Sequence, residues 1–290
     1  MLYEIKNQVI SLSASEQGAE LQSLRYNGKQ LLWQGDERYW TGRAPVLFPI
    51  VCGLRQNMYR IGGRAYSMAP HGFAKDEQFS VLKHDEHEII FSLQDNQATR
   101  EQYPFHFELQ VSYSLRESGI CQQYRVRNLG DHAMPFSLGI HTALVCPFFA
   151  HEHFAQYSIR FARPLTIERR VKENNLMTSR TQPLLRQSDT LKLDYTLFDE
   201  AAIALIDVPV KSLELVSDDR RYRARYGFDD YADLGIWTMP GAPFLCIEPW
   251  NGYDDYADGS QDIFQKPGIR LAYPNIDYIF SNTIDFDIQI

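Results

Sequence analysis

The sequence predicts an all-β protein, because short segments with a period of two recur along the chain while helical periodicity is nearly absent. The clearest segment is FHFELQVSYSL (105–115), in which apolar residues alternate with polar or small ones. Gly, Pro, Asn and Asp separate such segments, as turns require. Many short strands without a repeating strand–helix–strand order favour a β-sandwich or a β-barrel.

The remaining elements follow from the same pattern along the chain. In chain order, the predicted strands are EIIFSL (88–93), FHFELQVSYSL (105–115), GICQQYRVRN (119–128), MPFSLGIH (134–141), SLELVS (212–217), YRARYGF (222–228), LGIWTM (234–239), FLCIEP (244–249) and IFSNTIDFDI (279–288). Short helical turns are expected only around 194–199 and in DYADG (255–259). Residues 164–193 are rich in Arg, Gln, Ser and Thr, which predicts a long excursion from one sheet. No boundary interrupts the pattern, so we expect one domain over 1–290.

Composition excludes several classes of protein. The 290 residues are 44% apolar and 23% charged, which is typical of a globular chain, and the net charge of −8 argues against nucleic-acid or anionic-membrane partners. The N-terminal segment has no basic stretch followed by an apolar run, and no apolar window is long enough to cross a bilayer. We therefore expect a cytoplasmic protein. Its four cysteines lie far apart, which predicts free, mostly buried thiols.

The stretch FLCIEPWNG (244–252) places a carboxylate on a largely apolar strand face. That face carries Phe244, Cys246, Glu248 and Trp250, while Leu245 and Ile247 point to the other side. Pro249 is expected to end the strand just beyond Glu248. A buried carboxylate is costly unless it is paired, hydrated or protonated. Glu248 is therefore either part of a sugar- or base-binding site beside Trp250, or a rim residue in a salt bridge.

Three further residues are candidates for a binding site. In MPFSLGIH, small residues precede His141 on one strand face, which predicts either a hollow pocket floor or a core histidine bonded to a carbonyl. His71 lies between Pro70 and Gly72, in a loop suited to close approach by a ligand, although a surface turn histidine is the alternative. Arg55 follows an apolar strand and is either a hydroxyl-binding or a solvated side chain.

A metal site is not expected. His151 and His153 share a strand face in AHEHF, but they lack a third ligand at useful spacing. Sequence motifs for nucleotide binding and for zinc-dependent hydrolases are absent.

Segments along the whole chain resemble the aldose 1-epimerase (galactose mutarotase-like) family, in particular its LacX-like branch. The matching segments, in order, are APVLFPIVCGLRQNMYRIGGRAY (44–66), HGFAK (71–75), GIHTALVCP (139–147), LGIWTMPGAPFLCIEPWNG (234–252) and QKPGIRL (265–271). The resemblance implies a β-supersandwich with few short helices and a sugar site on its concave face. It also implies an isomerase that needs no cofactor or metal.

The resemblance assigns roles to particular residues. It implies that Glu248 is the general base and His141 the general acid, and that His71 and Arg55 contact the sugar. Trp250 is expected to lie beside the sugar, because aromatic faces pack well against sugar C–H surfaces. Two positions depart from the family pattern. Thr142 stands where the family usually has proline, and Ala201 stands where it has a sugar-binding aspartate. Either Asp199, two residues earlier, substitutes for that aspartate, or the contact with the sugar hydroxyl is absent.

Three alternatives to a mutarotase remain at this level. Thr142 and Ala201 favour a carbohydrate-binding or sugar-sensing protein without turnover. A hexose-6-phosphate epimerase would need basic residues at the pocket mouth, for which Arg43, Arg55 and Lys75 are the candidates. A cupin-like metalloenzyme would use His151 and His153. An exposed strand edge allows a monomer or a homodimer.

Overall fold

The alternating segments form antiparallel strands in the computed structural model, which describes residues 1–289. The strands are β1 (Leu2–Lys6), β2 (Ile10–Ser15), β3 (Leu21–Tyr26), β4 (Lys29–Gln30), β5 (Val46–Leu47), β6 (Met58–Ile61), β7 (Arg64–Ser67), β8 (Ser80–His84), β9 (Glu88–Gln94), β10 (Phe107–Leu115), β11 (Gly119–Asn128), β12 (Met134–Phe136), β13 (Leu138–Ile140), β14 (Ala143–Val145), β15 (Tyr157–Glu173), β16 (Leu176–Lys192), β17 (Ile203–Leu205), β18 (Ser212–Ser217), β19 (Tyr222–Gly227), β20 (Asp233–Trp237), β21 (Phe244–Asn251), β22 (Arg270–Ala272) and β23 (Asp277–Ile288).

Helices are few and short within these residues. The α-helix α1 covers Gln97–Gln102, and the 3₁₀ helices are Arg55–Asn57, Ala74–Asp76, Phe154–Gln156, Tyr195–Phe198 and Ile263–Gln265. None of the described helices is long and apolar enough to span a membrane. The all-β prediction with few short helices is confirmed.

Two sheets dominate the described chain. The larger has nine strands in the order β16-β15-β18-β19-β23-β11-β10-β9-β8, and the second has the order β17-β20-β21-β13-β5, with β14 also pairing with β21. One buried apolar cluster joins them, with Leu109 and Tyr226 from the first sheet and Leu234 and Ile247 from the second. The opposite face of the second sheet, where Glu248 lies, is therefore free to form a cavity.

The period-two pattern of β21 is confirmed by the core. Leu245 and Ile247 belong to the large cluster between the sheets, whereas Phe244, Cys246 and Trp250 belong to separate clusters on the other face. The prediction that the strand ends just beyond Glu248 is wrong, because β21 continues to Asn251. On one side of β21, β14 pairs with residues 244–246 and β13 with residues 250–251, which leaves the strand unpaired around Pro249. Pro249 is tolerated there because it has no backbone N–H to donate to a neighbouring strand.

Helical elements were predicted with mixed success. The turn expected around 194–199 is the 3₁₀ helix Tyr195–Phe198, which begins after the capping residue Asp194. DYADG forms a turn rather than a helix. Helix α1 was not predicted; its signal is a capping box, in which Asn96 and Thr99 bond to each other's backbone N–H groups. Cys52, Cys146 and Cys246 are free and buried, and Cys121 is free and partly buried, as expected.

Candidate active site

Strand register brings His141 and Glu248 to directly opposite positions. Gly139 pairs with Trp250 and Ala143 pairs with Cys246, and the same antiparallel register places His141 opposite Glu248. His141 lies in the short break between β13 and β14, next to the unpaired stretch of β21. Because opposite residues in antiparallel strands point to the same face, both side chains point away from the main core. The His141 Nε2 atom lies 3.5 Å from Glu248 Oε2.

A cavity of about 410 Å³ opens over this face, a volume within the usual range for small-molecule pockets. Its lining includes Trp40, His71, His141, Lys172, Asn175, Ala202, Trp237, Glu248, Trp250 and Asp254. Trp40 stacks on the His141 ring at a centroid distance of 4.8 Å, and Trp237 meets the same ring edge-on at 5.6 Å. His141 therefore lies among aromatic surfaces, which provide flat apolar faces for a ligand.

Trp250 fills the hollow that the sequence predicts beside His141. A Cβ atom at Gly139 would lie 2.8 Å from the Trp250 ring, and one at Gly235 would lie 2.2 Å from it. Both glycines pack under the indole, on the two strands that flank β21. The small residues before His141 thus make room for the tryptophan of the pocket wall.

His71 reaches the same cavity from a strained loop. Its φ angle is +68°, and the following Gly72 has no space for a side chain, because a Cβ atom there would lie 2.2 Å from the Phe48 carbonyl oxygen. The backbone N–H of Cys52 donates to His71 Nδ1 at 3.2 Å. A neutral His71 ring therefore carries its proton on Nε2. The His71 and His141 rings meet edge-on, 5.6 Å apart.

A long hairpin, β15–β16, brings a cation to the cavity. Glu173 pairs with Leu176 across Asn174 and Asn175, whose φ angles of 50° and 59° are those of a type I′ turn. Lys172, just before this turn, places Nζ 2.5 Å from Asp254 Oδ2, and both side chains are almost fully buried.

The hairpin end is docked rather than free. Met177 is fully buried and donates its N–H to the Asp255 carbonyl at 2.8 Å. The other Asp254 oxygen, Oδ1, accepts from the N–H of Gly53 at 2.7 Å. The predicted excursion from the sheet is therefore an arm that forms one wall of the site.

Burial sets the charge state of the cavity. It lowers the pKa of His141 to about 3, with a further contribution from His71, and it lowers the pKa of His71 to about 4, although Asp254 opposes this shift. Burial also raises the pKa of Glu248 to about 8, against the opposing charge of Lys172. Around neutral pH, His141 and Glu248 therefore share a single proton. Burial alone would lower the pKa of Lys172, but its pairing with Asp254 keeps it above the usual range.

Known proteins match this chain over nearly its full length. The family model for aldose 1-epimerase covers residues 1–268. The chain is also 32% identical over 285 residues to the chromosomal protein LacX of Lactococcus lactis subsp. lactis, which covers 94% of this chain and 95% of the relative.

The chain belongs to the aldose 1-epimerase family. Its fold is that of galactose mutarotase-like proteins. A galactose mutarotase related enzyme from Lactobacillus acidophilus superposes with a TM-score of 0.94 at 27% identity, over the whole of both chains. A galactose mutarotase-like protein from Lactobacillus casei ATCC 334 superposes with a TM-score of 0.92 at 27% identity, over 99% of this chain and all of the other. The predicted family is therefore confirmed.

Four of the six predicted site residues of this aldose 1-epimerase family member meet at the cavity, namely His71, His141, Glu248 and Trp250. The other two, Arg55 and Asp199, do not line it. The chain turns away at the 3₁₀ helix Arg55–Asn57, where Gln56 has a φ angle of +59°, so the Arg55 side chain lines a separate cavity with Arg60 and Gln261. Asp199 is exposed at the end of the 3₁₀ helix Tyr195–Phe198, while Ala202 reaches the cavity.

Among the charged, amide and aromatic residues of the lining, five were not predicted as site residues: Trp40, Lys172, Asn175, Trp237 and Asp254. Asn175 belongs to a recognisable sequence pattern, since the Asn-Asn pair between VKE and LMT is typical of a tight hairpin turn. This pattern would have identified the arm. Trp237 shared the predicted strand face of β20, but nothing indicated that it would meet His141. Trp40 and Asp254 come from irregular segments, whose location depends on the rest of the fold.

Other candidate residues lie elsewhere. Arg43 bonds to Gln22 and Gln34, and Lys75 pairs with Asp76 outside the cavity. His151 and His153 are exposed, while Glu152 between them is buried and accepts a hydrogen bond from Tyr157. Thr142 is fully buried after His141, and its hydroxyl has no hydrogen-bond partner among the described residues.

Proposed function

We propose that this aldose 1-epimerase family member interconverts the α and β anomers of a free sugar by acid/base ring opening without a cofactor. The observation that carries this proposal is the 3.5 Å contact between His141 and Glu248 on the floor of an aromatic-walled cavity. The two groups point into one volume from the same sheet face. A sugar ring lying on that floor would contact both of them.

The chemistry requires a pair of groups that together hold one proton. One group removes the proton of the C1 hydroxyl while the other protonates the ring oxygen, and the C1–O5 bond breaks to give the open-chain aldehyde. Rotation about C1–C2 and the reverse transfers close the ring as the other anomer. We assign Glu248 as the base and His141 as the acid, which corresponds to the carboxylate–imidazolium form of the pair. Because the pKa of Glu248 is about 8 and that of His141 about 3, the resting pair holds its proton on Glu248, and this proton moves to His141 before the C1 hydroxyl is deprotonated.

The remaining polar groups suit the hydroxyls of a sugar. The neutral His71 ring presents an Nε2–H donor, since its Nδ1 atom accepts from Cys52. Lys172 and Asp254 supply a donor and an acceptor from the arm and from the segment after β21. In our proposal Asp254 replaces the family aspartate that is absent at Ala201, because Asp199 is exposed and outside the lining.

A free sugar fits the cavity better than a phosphorylated one. The three basic residues considered for a phosphate, Arg43, Arg55 and Lys75, do not line it. Lys172 does line it, but its charge is already balanced by Asp254. A phosphate group would thus meet no unpaired cation among the described lining residues.

Anomer exchange measured by NMR tests this proposal. A panel of free aldoses and their 6-phosphates is equilibrated with wild-type protein and with Glu248→Gln, which keeps the shape of the side chain but removes its base. We expect wild type to accelerate exchange of at least one free aldose and the variant to be about 10²–10⁴-fold slower. Glu152→Gln is the matched control, because Glu152 is also a buried glutamate but lies outside the cavity.

Two outcomes would overturn the assignment. If Glu248→Gln is as fast as wild type, Glu248 is not the base. If wild type binds a sugar, detected by line broadening or tryptophan fluorescence, without accelerating its exchange, the protein is a carbohydrate-binding or sugar-sensing member of the family. Faster exchange of a 6-phosphate than of its free sugar would instead favour the hexose-6-phosphate epimerase.

A further inference from the structure

Three metal-binding side chains converge at the cavity floor, where His141 and Glu248 line the cavity and Cys246 lies buried beside them. The Cys246 sulfur, an imidazole nitrogen of His141 and a Glu248 carboxylate oxygen all lie within 4.8 Å of one another, and all three residues are buried. The strand register explains the cluster. Cys246 and Glu248 are two residues apart on one face of β21, and His141 lies opposite Glu248 across the sheet. Cys246 has no part in the acid/base reaction proposed above.

We propose that Cys246, His141 and Glu248 form a binding site for Zn²⁺, and that Zn²⁺ bound there inhibits the protein. In tetrahedral zinc sites the metal lies about 2.3 Å from sulfur and about 2.0 Å from nitrogen and oxygen. Adjacent nitrogen and oxygen ligands are then about 3.3 Å apart, and pairs that include sulfur are about 3.5 Å apart. The His141–Glu248 distance of 3.5 Å already meets this requirement. The widest pair in the cluster closes by about 1.3 Å at most, which small side-chain rotations provide.

An unsatisfied polar atom at the same place supports a ligand there. Glu248 Oε2, the carboxylate oxygen that faces His141 Nε2, is buried and has no hydrogen-bond partner among the described residues. A buried polar atom of this kind is costly, and a cation would relieve the cost. Three protein ligands leave the fourth position of the metal open toward the cavity, where water or a sugar hydroxyl would complete the coordination.

The ligand types select the metal. A thiolate and an imidazole favour zinc and similar borderline-soft ions over Mg²⁺ and Ca²⁺, which prefer oxygen ligands. Binding breaks the S–H bond of Cys246 and also displaces the single proton that His141 and Glu248 hold between them. Both protons go to solvent, so binding strengthens as pH rises. The bound ion uses the lone pairs of both proposed catalytic groups. Inhibition therefore rests on the proposed function, whereas the metal site itself does not.

Cobalt absorption tests the site directly. Co²⁺ takes the place of Zn²⁺ in sites of this type, and a thiolate ligand produces a charge-transfer band in the near ultraviolet. We expect wild-type protein titrated with Co²⁺ to show this band, and Zn²⁺ but not Mg²⁺ to abolish it. In Cys246→Ser and Cys246→Ala the band should be absent and the metal affinity about 10-fold weaker or more. Cys52→Ser, which removes the thiol in the cavity lining, should retain the band.

Two results would contradict the proposed metal site. A folded wild-type protein without a thiolate band excludes Cys246 as a ligand. A band that persists in both Cys246 variants and disappears in Cys52→Ser assigns the thiolate to Cys52 instead. Near-ultraviolet circular dichroism establishes that each variant is folded, and the use of two substitutions protects the test against one that fails to fold.

A separate measurement tests whether Zn²⁺ inhibits anomer exchange. The ratio of anomer-exchange rates with and without Zn²⁺ is compared between wild type and Cys246→Ala. We expect wild type to be slowed by Zn²⁺ and the variant to resist it at the same concentration. Equal sensitivity in both would overturn inhibition through Cys246. If wild type has no exchange activity at all, the proposed function fails, while the cobalt spectrum still decides whether the metal site exists.

Discussion

The raised pKa of Glu248 has a measurable effect on the stability of the protein. Burial raises this pKa from 4.5 to about 8 in the folded chain. The folded state therefore holds a proton that the unfolded state has lost, and stability decreases as pH rises through this window. The perturbation that isolates the effect is Glu248→Gln, which leaves a neutral side chain of similar shape at every pH.

The pH range between 6.5 and 8 separates Glu248 from the two histidines of the site. His71 and His141 have lowered pKa values of about 4 and about 3, so over this range they are neutral in the folded state but partly protonated in the unfolded state, half so at their ordinary value of 6.5. Together they add about 0.8 kcal/mol of stability between pH 6.5 and pH 8, a gain that Glu248→Gln shares with wild type. Glu248 acts in the opposite direction, with a slope of about 1.36 kcal/mol per pH unit that lessens as pH approaches 8. Its own expected contribution over the interval is a loss of about 1.6 kcal/mol.

Equilibrium unfolding in urea, followed by tryptophan fluorescence at both pH values, measures this loss. The wild-type free energy of unfolding should fall by about 1.6 kcal/mol more than that of Glu248→Gln over the interval. Equal changes in both proteins, or a smaller loss in wild type than in Glu248→Gln, would contradict this prediction. Either result would mean that Glu248 is ionised in the folded state at pH 6.5.

Three further predictions follow from the site. The rate of anomer exchange should fall as pH rises through about 8, because His141 and Glu248 then lose the proton that they hold between them. A rate–pH profile that continues to rise above this pH would contradict the proposed mechanism. Lys172→Met should lower the free energy of unfolding, measured in urea titrations, by about 3–5 kcal/mol, since Asp254 is left buried and unpaired. The double variant Lys172→Met/Asp254→Asn should recover part of this lost stability. Gly235→Ala should displace Trp250 and cost about 1–3 kcal/mol, with a changed near-ultraviolet spectrum. In the control Gly130→Ala, the atom nearest to the new Cβ is the side-chain oxygen of Asn128 at 3.3 Å, so a small shift of that side chain suffices and the spectrum should not change. Equal spectra in the two variants would disprove the packing argument.

Local pattern predicted most of the fold because strand alternation is a local property. The predicted strand GICQQYRVRN is β11, and SLELVS is β18. MPFSLGIH divides into β12 and β13, because Phe136 pairs with β22 while Gly139 pairs with β21 and β5. A single alternating segment can thus contribute strands to two sheets. The point at which it divides depends on the strands with which it pairs.

The site was predictable only in part. The family resemblance drew attention to His71, His141 and Glu248, and the structure brings them to one cavity. The resemblance failed for Arg55 and Asp199, since a backbone turn and an exposed 3₁₀ terminus take them elsewhere. Lys172 and Asp254 had no individual signal, because their pairing requires the arm to fold back onto the segment that follows β21.

The residue order alone places Glu248 on one strand face with Cys246 and Trp250, since side chains alternate along any extended strand. Which residues this face contacts depends on the packing of distant segments. His141 is far from Glu248 in the sequence, and only the register of β13 and β14 against β21 places the two opposite each other. The charge state was likewise decided by tertiary structure, because the pKa of Glu248 depends on how fully other segments exclude water from it.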